Sequence, residues 1–194
     1  MSALQIPDDL QIPDGIHLEV ISYTRSMRQW MNGKRKNGKE KGHYLENAPP
    51  GCLFAVGVYR AAPGLFPGTT QPSGPIQGIC LIGRPIARKL PQDGSVGEVT
   101  RMYLCPGLPP RTASAVLRYA AAIARTRRID SLIAYHDRTR HTGCIYRKAG
   151  FRKDGITDPP PNGWGTRSQS AKSAKLPTTS KRRWRLHLSP EPTP

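Results

Sequence analysis

The stretch that most constrains the fold runs from Glu98 to Asp137 and has the order strand, short loop, helix, strand. Apolar residues in its middle follow i, i+3, i+4 spacing, which predicts an amphipathic helix over residues 112–127. The apolar positions are Ala113, Val116, Leu117, Ala120, Ala121 and Ala124. Since most of them are alanines, we expect this helix to pack closely on a sheet and to join two strands of that sheet.

Other segments complete one domain over residues 1–194. Apolar or alternating runs predict further strands at residues 16–23, 52–59 and 75–87, and a short helix that begins at residue 138 and ends at Gly150. A helix is predicted after Thr24, and a turn-rich hairpin loop at residues 60–74. The remaining parts are an N-terminal arm (1–15), a loop excursion (156–180), a final strand (181–188) and a tail (189–194).

The charge of the chain favours a polyanionic partner. Thirty Lys and Arg residues face 13 Asp and Glu residues, which gives a net charge of +17. Because the excess is spread along the chain, it favours nucleic acid over another cation. A solubility surface or a basic tail is the alternative. Lys34, Arg35 and Lys36 lie in a glycine-spaced loop that is either a solvated connector or a phosphate contact.

The cysteines and the apolar runs bear on the compartment. None of the four cysteines forms a C-x-x-C pair, which indicates buried free thiols in a reducing compartment. The sequence has no apolar run of 18 residues, so no membrane span is expected. The N-terminus lacks the order of a signal peptide, and we expect a cytoplasmic protein.

Two sets of motifs carry a family resemblance. The segment IYRKAGF, with a tyrosine on a helix before x-x-x-Gly-Phe, and the order of elements resemble the GNAT acyltransferase fold. HYLENAPPG, IGRPIARKL, EVTRMYL and IAYHD…GCIYRKAGF together look like the phage Mom-type DNA modification proteins. The resemblance implies an α+β domain whose mixed, mostly antiparallel central sheet is flanked by helices. It also implies transfer of a carbamoylmethyl group to N6 of adenine in DNA, which protects phage DNA from restriction in a bacterial host.

The same resemblance suggests the site residues. It implies catalytic roles for Tyr146, Ser114 and Asp137, cofactor contacts by Arg101, Arg111 and Ser114, and iron ligation by His43, Tyr44 and Asp137. Acetyl-CoA or a related donor, and iron, are left open as cofactors. Asp137→Asn is predicted to abolish modification and to leave the folding transition nearly unchanged.

Each of these side chains also has a structural interpretation. Tyr146 could protonate a leaving thiolate, but is more often a half-buried aromatic. Ser114 could be a helix cap, with Thr112 as a competitor, and Asp137 could be an N-cap. His43 could be an ordinary loop histidine. His136 and His141 are near Asp137 in sequence, and one of them is expected to point to the sheet face opposite Asp137.

The loop before the main helix departs from the usual GNAT pattern. GNAT enzymes have [QR]-x-x-G-x-[GA] there, and aligning Arg111 with its first position puts Ser114 and Val116 at the glycines. The helix N-terminus still attracts an anion through its free N–H groups and dipole. The missing glycines argue against conventional acetyl-CoA binding and for an unusual donor.

A nucleic-acid interface is predicted from basic and aromatic residues. Arg84 and Arg101 lie in apolar strands, where a buried arginine needs an anionic partner such as a cofactor phosphate, Glu98 or DNA. Trp164 and Trp184, with nearby arginines, suit stacking on an unpaired base, and reaching adenine N6 requires a flipped base or a single strand. The predicted contacts are Arg84, Lys34, Arg35, Lys36, Arg167, Arg182, Arg183 and Trp164.

Two other functions stay open. One is a GNAT-fold acetyltransferase acting on a small amine or protein, and the other is a basic nucleic-acid-binding protein without catalysis. A homodimer is also left open.

Overall fold

A computed structural model describes residues 10–24, 52–66, 68–87, 89–158 and 179–188. The strands in these ranges are β1 Ile16–Ile21, β2 Phe54–Pro63, β3 Thr70–Gly83, β4 Val96–Leu104, β5 Ser131–Asp137, β6 Arg152–Thr157 and β7 Lys181–His187. The helices there are α1 Thr112–Thr126 and α2 Cys144–Lys148.

The strands form one sheet in the order β1-β2-β3-β4-β5-β7-β6. Only β4 and β5 pair in parallel, and the other neighbours in this sheet pair antiparallel. A parallel pair needs a crossover connection, and α1 supplies it. The predicted α+β class with a mixed, mostly antiparallel sheet is confirmed, and so is a helix that joins two strands of the same sheet.

The core lies between α1 and one face of the sheet. Val116, Leu117 and Ala120 on α1 are fully buried, in one cluster with side chains of β2, β3 and β5. Alanine lets a helix approach a sheet closely because its side chain ends at Cβ. Apolar spacing in the sequence therefore identified this face correctly.

The β2–β3 hairpin is longer than predicted. The antiparallel register continues from Arg60↔Ser73 to Pro63↔Thr70, so the predicted loop at 60–74 is wrong and the turn spans only residues 64–69. The Gly64 N–H donates to the Thr69 carbonyl oxygen at 2.9 Å, which closes the turn. Two of the residues that suggested a loop, Pro72 and Gly74, lie within strand β3, and Pro63 ends β2.

Two predicted element boundaries in the C-terminal part of the chain also differ from those in the structure. The predicted loop excursion begins too early, because Ile156 and Thr157 still pair with β7. Residues 138–143, predicted as the start of a helix, form turns and irregular backbone before α2 begins at Cys144. The predicted helix after Thr24, and the tail at 189–194, lie outside the described residues.

Two other expectations can be compared with the structure. The four cysteines all lie in the described ranges and form no disulfide there, with Cys80 buried and the others half-buried. Within the described ranges, no helix has the length and apolar character needed to cross a membrane.

The core predicts how much stability is lost when a buried side chain of β5 is replaced by alanine. Leu132 is fully buried, so Leu132→Ala should lower the free energy of unfolding by about 2–5 kcal/mol. Leu65→Ala is the matched control, because Leu65 is 91% exposed and its truncation should change stability by less than about 0.5 kcal/mol. Urea unfolding of both variants measures the difference, and equal stabilities would contradict this core.

Candidate functional site

A cavity of about 490 Å³ opens where β4 and β5 part. Their parallel pairing ends at Val99↔Ala134, although β4 continues to Leu104 and β5 to Asp137. The cavity is lined by residues from β4 and β5, the turn before α2, α2 itself and the adjoining ends of β6 and β7. It therefore lies at the carboxyl ends of the parallel strands, where open α/β sheets bind ligands.

A β-bulge in β4 accounts for the parting of the strands. Leu81 on β3 pairs with Arg101, but the next residue, Ile82, pairs with Val99, which leaves Thr100 as the extra residue. The Thr100 hydroxyl donates to the Leu81 carbonyl oxygen at 3.3 Å. A bulge bends its strand and often lies beside an active site. Here it carries the end of β4 away from β5 and brings Arg101 into the cavity lining.

Glu98 is one of two buried carboxylates that line this cavity, with 5% of its surface exposed. Its Oε2 accepts a hydrogen bond from the Ile86 N–H at 2.9 Å. Burial raises the pKa of Glu98, and the Ile86 bond and the charges of Lys181 and Arg101 offset only part of that rise. A carboxylate with a raised pKa is suited to accept a proton near neutral pH.

Lys181, at the start of β7, lines the same cavity. The pKa of its ammonium is lowered overall, because burial and the nearby charge of Arg101 outweigh the opposing effects of Glu98 and Asp137. The cavity lining thus includes two carboxylates, Glu98 and Asp137, and two cations, Arg101 and Lys181.

Asp137 ends β5 and is 3% exposed. Its Oδ1 accepts hydrogen bonds from the Thr139 N–H at 2.9 Å and the Thr139 hydroxyl at 2.6 Å. Its Oδ2 accepts from the Thr179 hydroxyl at 2.8 Å and lies 3.5 Å from Arg140 Nε. Burial alone would raise the pKa of Asp137, but these bonds and the Arg140 charge lower it overall. The carboxylate holds the turn after β5 against the segment that enters β7.

The opposite wall of the cavity is aromatic. Tyr146 on α2 stacks with His136 at a centroid distance of 6.0 Å and with Trp184 at 5.8 Å. Gly143, at φ 74°, allows this packing, since a Cβ there would lie 2.6 Å from Trp184 Cζ2 and 2.8 Å from His136 Cε1. Tyr146 is 9% exposed and lines the cavity.

The first turn of α1 has an unusual backbone. Arg111 precedes the helix at φ 69°, a left-handed conformation that is uncommon outside glycine. The Ser114 hydroxyl donates to the Arg111 carbonyl oxygen at 2.9 Å, and the Thr112 hydroxyl donates to the Pro109 carbonyl oxygen at 2.7 Å. Neither Arg111 nor Ser114 is among the described residues that line the cavity. The cofactor and catalytic roles suggested for these two residues stay predictions.

The structure thus brings Arg101, Asp137 and Tyr146 to one cavity. The other suggested site residues His43 and Tyr44 lie outside the described residues, as do the predicted nucleic-acid contacts Lys34, Arg35, Lys36, Trp164 and Arg167. Among the described residues, no three His, Cys, Asp or Glu side chains are grouped so that they could hold a metal ion. Iron ligation by His43, Tyr44 and Asp137 stays a prediction.

The structure describes four residues that were considered for the nucleic-acid interface, and two of them, Arg84 and Trp184, lie differently from expectation. Arg84 is exposed just beyond β3, so it is not the buried strand arginine that the sequence suggested. Arg182 and Arg183 are half-buried in β7, and Arg183 Nε lies 2.8 Å from Asp154 Oδ2. Trp184 is 3% exposed, and its indole N–H donates to His136 Nδ1 at 2.7 Å. A stacking role for Trp184 on a base is therefore wrong, because its ring faces are inside the protein.

Comparisons with known proteins bear on this architecture. No protein-family model and no curated protein matches the sequence. A solved acetyltransferase from Bacillus subtilis in complex with CoA is 12% identical at a TM-score of 0.52, covering 90% of this chain and 99% of its own. The ribosomal-protein-S18-alanine N-acetyltransferase from Escherichia coli is 10% identical at a TM-score of 0.54, covering 91% and 96%. An IAA acetyltransferase from Bacillus cereus is 13% identical at 0.52, covering 89% and 99%.

The chain has the GNAT acyltransferase fold. This confirms the broader part of the resemblance seen in the sequence. The narrower part, to Mom-type DNA modification proteins, stays a prediction.

Sequence reasoning missed three residues of this GNAT-fold cavity: Glu98, His136 and Lys181. Glu98 had appeared only as a partner for an arginine. A polar residue that interrupts the apolar strand EVTRMYL was the available signal for it. His136 and Lys181 gave no comparable signal, because their positions depend on how β5, β7 and α2 meet.

The contacts of Asp137 predict a loss of stability on substitution, which corrects the expectation that Asp137→Asn would spare folding. Asparagine cannot accept all the bonds of the carboxylate, so the free energy of unfolding should fall by about 1–3 kcal/mol at pH 7. Because folding lowers the pKa of Asp137 from 3.8, this stabilisation is present above pH 3.8 and is lost as the pH falls through the folded-state pKa.

Urea unfolding at pH 7 and pH 3 measures this effect. The difference between wild type and Asp137→Asn should be larger at pH 7. The exposed Asp158→Asn is the control and should match wild type at both values. Wild-type stability of Asp137→Asn at pH 7 would show that these bonds do not support the fold.

Proposed function

We propose that this protein is an acyltransferase that moves an acyl group from a thioester donor to an amine. The observation that carries the proposal is the pair of Glu98 and Tyr146, two buried side chains with acid–base chemistry, on the walls of the cavity between the parted strands. Solved structures with the same fold are acetyltransferases, and one of them is in complex with CoA.

The first turn of α1 supports a donor with phosphate groups. α1 begins at the same carboxyl edge of the β4–β5 pair at which the cavity opens. The first amides of a helix have no acceptor within the helix, and a left-handed residue such as Arg111 beside helical ones directs successive N–H groups to one side. This geometry binds anions.

The missing glycines do not block such a donor. Ser114 is 2% exposed and Val116 is fully buried, so both side chains point into the core and leave the outer side of the amides open. This burial favours a CoA-type donor over the unusual donor that the loop sequence suggested. The thioester of such a donor would supply an activated acyl carbon.

The proposed reaction assigns one proton transfer to each buried group. The nitrogen of the neutral amine forms a bond to the acyl carbon, and Glu98 takes the proton that this nitrogen loses as the bond forms. The carbon–sulfur bond breaks, and the Tyr146 hydroxyl gives a proton to the leaving sulfur. The products are an amide and a free thiol, and a proton passed from Glu98 to the tyrosinate through water restores both groups.

Substitution of either group tests this assignment. Glu98→Gln and Tyr146→Phe should each lower kcat for acetyl-CoA and an amine by about 10²–10⁴-fold, because each removes an acid–base group. Because burial raises the pKa of Glu98 above 4.5, the wild-type rate should fall as the pH drops through that raised value. Glu98→Gln should lose this acid limb. Thiol release with a panel of amines, from pH 5 to pH 9, measures both effects.

Matched controls exist outside the cavity. Glu19→Gln on β1 and Tyr59→Phe on β2 make the same chemical changes and should keep wild-type kcat. If Glu98→Gln and Tyr146→Phe also keep wild-type kcat, the assignment is wrong. Absence of thioester binding by the wild-type protein would refute the proposed donor.

A second candidate takes the amine to be N6 of adenine in DNA. The net charge of +17 favours a polyanionic substrate. Between Asp137 and Asp154 the chain has six Lys and Arg residues and no acidic one, and this basic segment includes the residues that line the cavity from His141 to Tyr146. A base that reaches the cavity would have to leave its duplex stack or come from a single strand.

DNA binding should depend steeply on salt if this candidate is right. Six phosphate contacts would give a log–log slope of affinity against salt of about −5. Filter binding to single-stranded and duplex DNA between 50 and 200 mM salt measures the slope, and mass analysis of nucleosides from expressing cells detects modified adenine. A flat salt response with unmodified adenine would leave a small amine or a protein as the acceptor.

A further inference from the structure

The described residues contain one hydrogen bond between a tryptophan and a histidine. Trp184 Nε1 lies 2.7 Å from His136 Nδ1, and the two side chains are 3% and 5% exposed. An indole nitrogen can only donate, so His136 Nδ1 must accept this bond through its lone pair. A histidine whose Nδ1 accepts carries the proton of its neutral form on Nε2.

The surroundings of His136 oppose a second proton on the ring. A charged ring would have to protonate Nδ1 and so lose the bond from Trp184. The ring is only 5% exposed, so a charge on it would also be largely removed from water. The ring that stacks on His136, at a centroid distance of 6.0 Å, is the phenol of Tyr146 and not a carboxylate that could pair with a charged imidazole.

The other ring nitrogen is left for a ligand. His136 lines the cavity, and Nε2 has no hydrogen-bond partner in the part of the chain that the structure describes. Nδ1 is occupied by Trp184, and Gly143 packs beside Cε1, which together fix the ring's orientation. Nε2 is not among the buried side-chain atoms that lack a partner in the described ranges, so it is open to the cavity, where an acceptor atom of a ligand can take the place of water.

We propose that His136 is a neutral hydrogen-bond donor to the substrate in this cavity through its Nε2–H, with Trp184 as the residue that fixes its tautomer. This inference rests on the proposed acyl transfer for the identity of the substrate. The ligand atom is an acceptor without a proton, such as the oxygen of an acyl group. An ammonium group is excluded, because it only donates.

This role differs from the acid–base roles of Glu98 and Tyr146. His136 does not exchange a proton during the reaction. It orients a polar acceptor against the aromatic wall, and the bond from Trp184 keeps Nδ1 as the acceptor and Nε2 as the donor. Trp184 contacts no reacting atom; it fixes the tautomer of His136 through their hydrogen bond and also packs against the Tyr146 ring.

The first test reads the tautomer directly by ¹⁵N NMR of the five histidines, with His136→Gln to assign the signal. His136 should show a protonated Nε2 and an unprotonated Nδ1 from pH 8 to pH 6. Trp184→Phe should mix the two tautomers, because the bond that holds Nδ1 as an acceptor is lost, with a wild-type amide spectrum elsewhere as the check on folding. A protonated Nδ1 in the wild type at pH 7 would overturn the proposal.

The second test uses ligands that differ in one acceptor. Acetyl-CoA should shift the His136 Nε2–H resonance, and CoA, which lacks the acyl oxygen, should not. His136→Leu should weaken acetyl-CoA binding relative to CoA by roughly three- to tenfold, and His136→Gln, which keeps an N–H donor, should retain most of the preference. A shift caused only by the amine substrate would place the acceptor atom there instead.

The two proposals fail in distinguishable ways. If thioester is turned over while neither ligand moves the His136 resonance, the substrate contact is wrong and acyl transfer stands. If the tautomer is as predicted but no thioester binds, then acyl transfer and the substrate contact both fall, and only the Trp184–His136 pairing remains.

Discussion

The parting of β4 from β5 after the Val99–Ala134 pair is the constraint on which the site depends. Two parallel strands that stayed paired to their ends would leave no room between them, and the polar residues beyond that point would lie in a continuous sheet. The extra residue Thr100 bends β4 while β3 keeps its own pairing on both sides of the bulge. One inserted residue therefore creates the cavity without reducing the number of strands in the sheet.

Burial then gives the cavity its chemistry. Glu98 and Lys181 belong to strands on either side of β5, and removal from water raises the pKa of one and lowers that of the other. Both shifts favour the uncharged form, which is the usual consequence of desolvation. Asp137 shows the contrasting case, since several hydrogen bonds outweigh its burial and keep it ionised. The same chemical group thus serves as a proposed base at one position and as a structural anchor at another.

The family resemblance and the structure identify residues of the site from different kinds of evidence. The motifs selected Arg101, Asp137 and Tyr146, which are far apart in sequence, and the structure places all three at one cavity. The loop motif also suggested that missing glycines would hinder a CoA-type donor. That inference assumed that side chains at Ser114 and Val116 face the ligand, whereas α1 turns both towards the core. A motif records residue types, but the direction of a side chain depends on the phase of the helix against its sheet.

The sequence by itself determined the strand–helix–strand unit, the buried face of α1 and the high positive charge, because these follow from local periodicity and composition. It also determined the end of β5 at Asp137. Only the tertiary structure decided that β4 carries a bulge, that Glu98 and Lys181 share a cavity, and that Trp184 is a buried partner of His136. Trp184 and His136 are 48 residues apart in the chain, so no local pattern relates them. They meet because β7 pairs with β5 in a register that puts both rings on the side of α2, and that register is set by packing across the whole sheet.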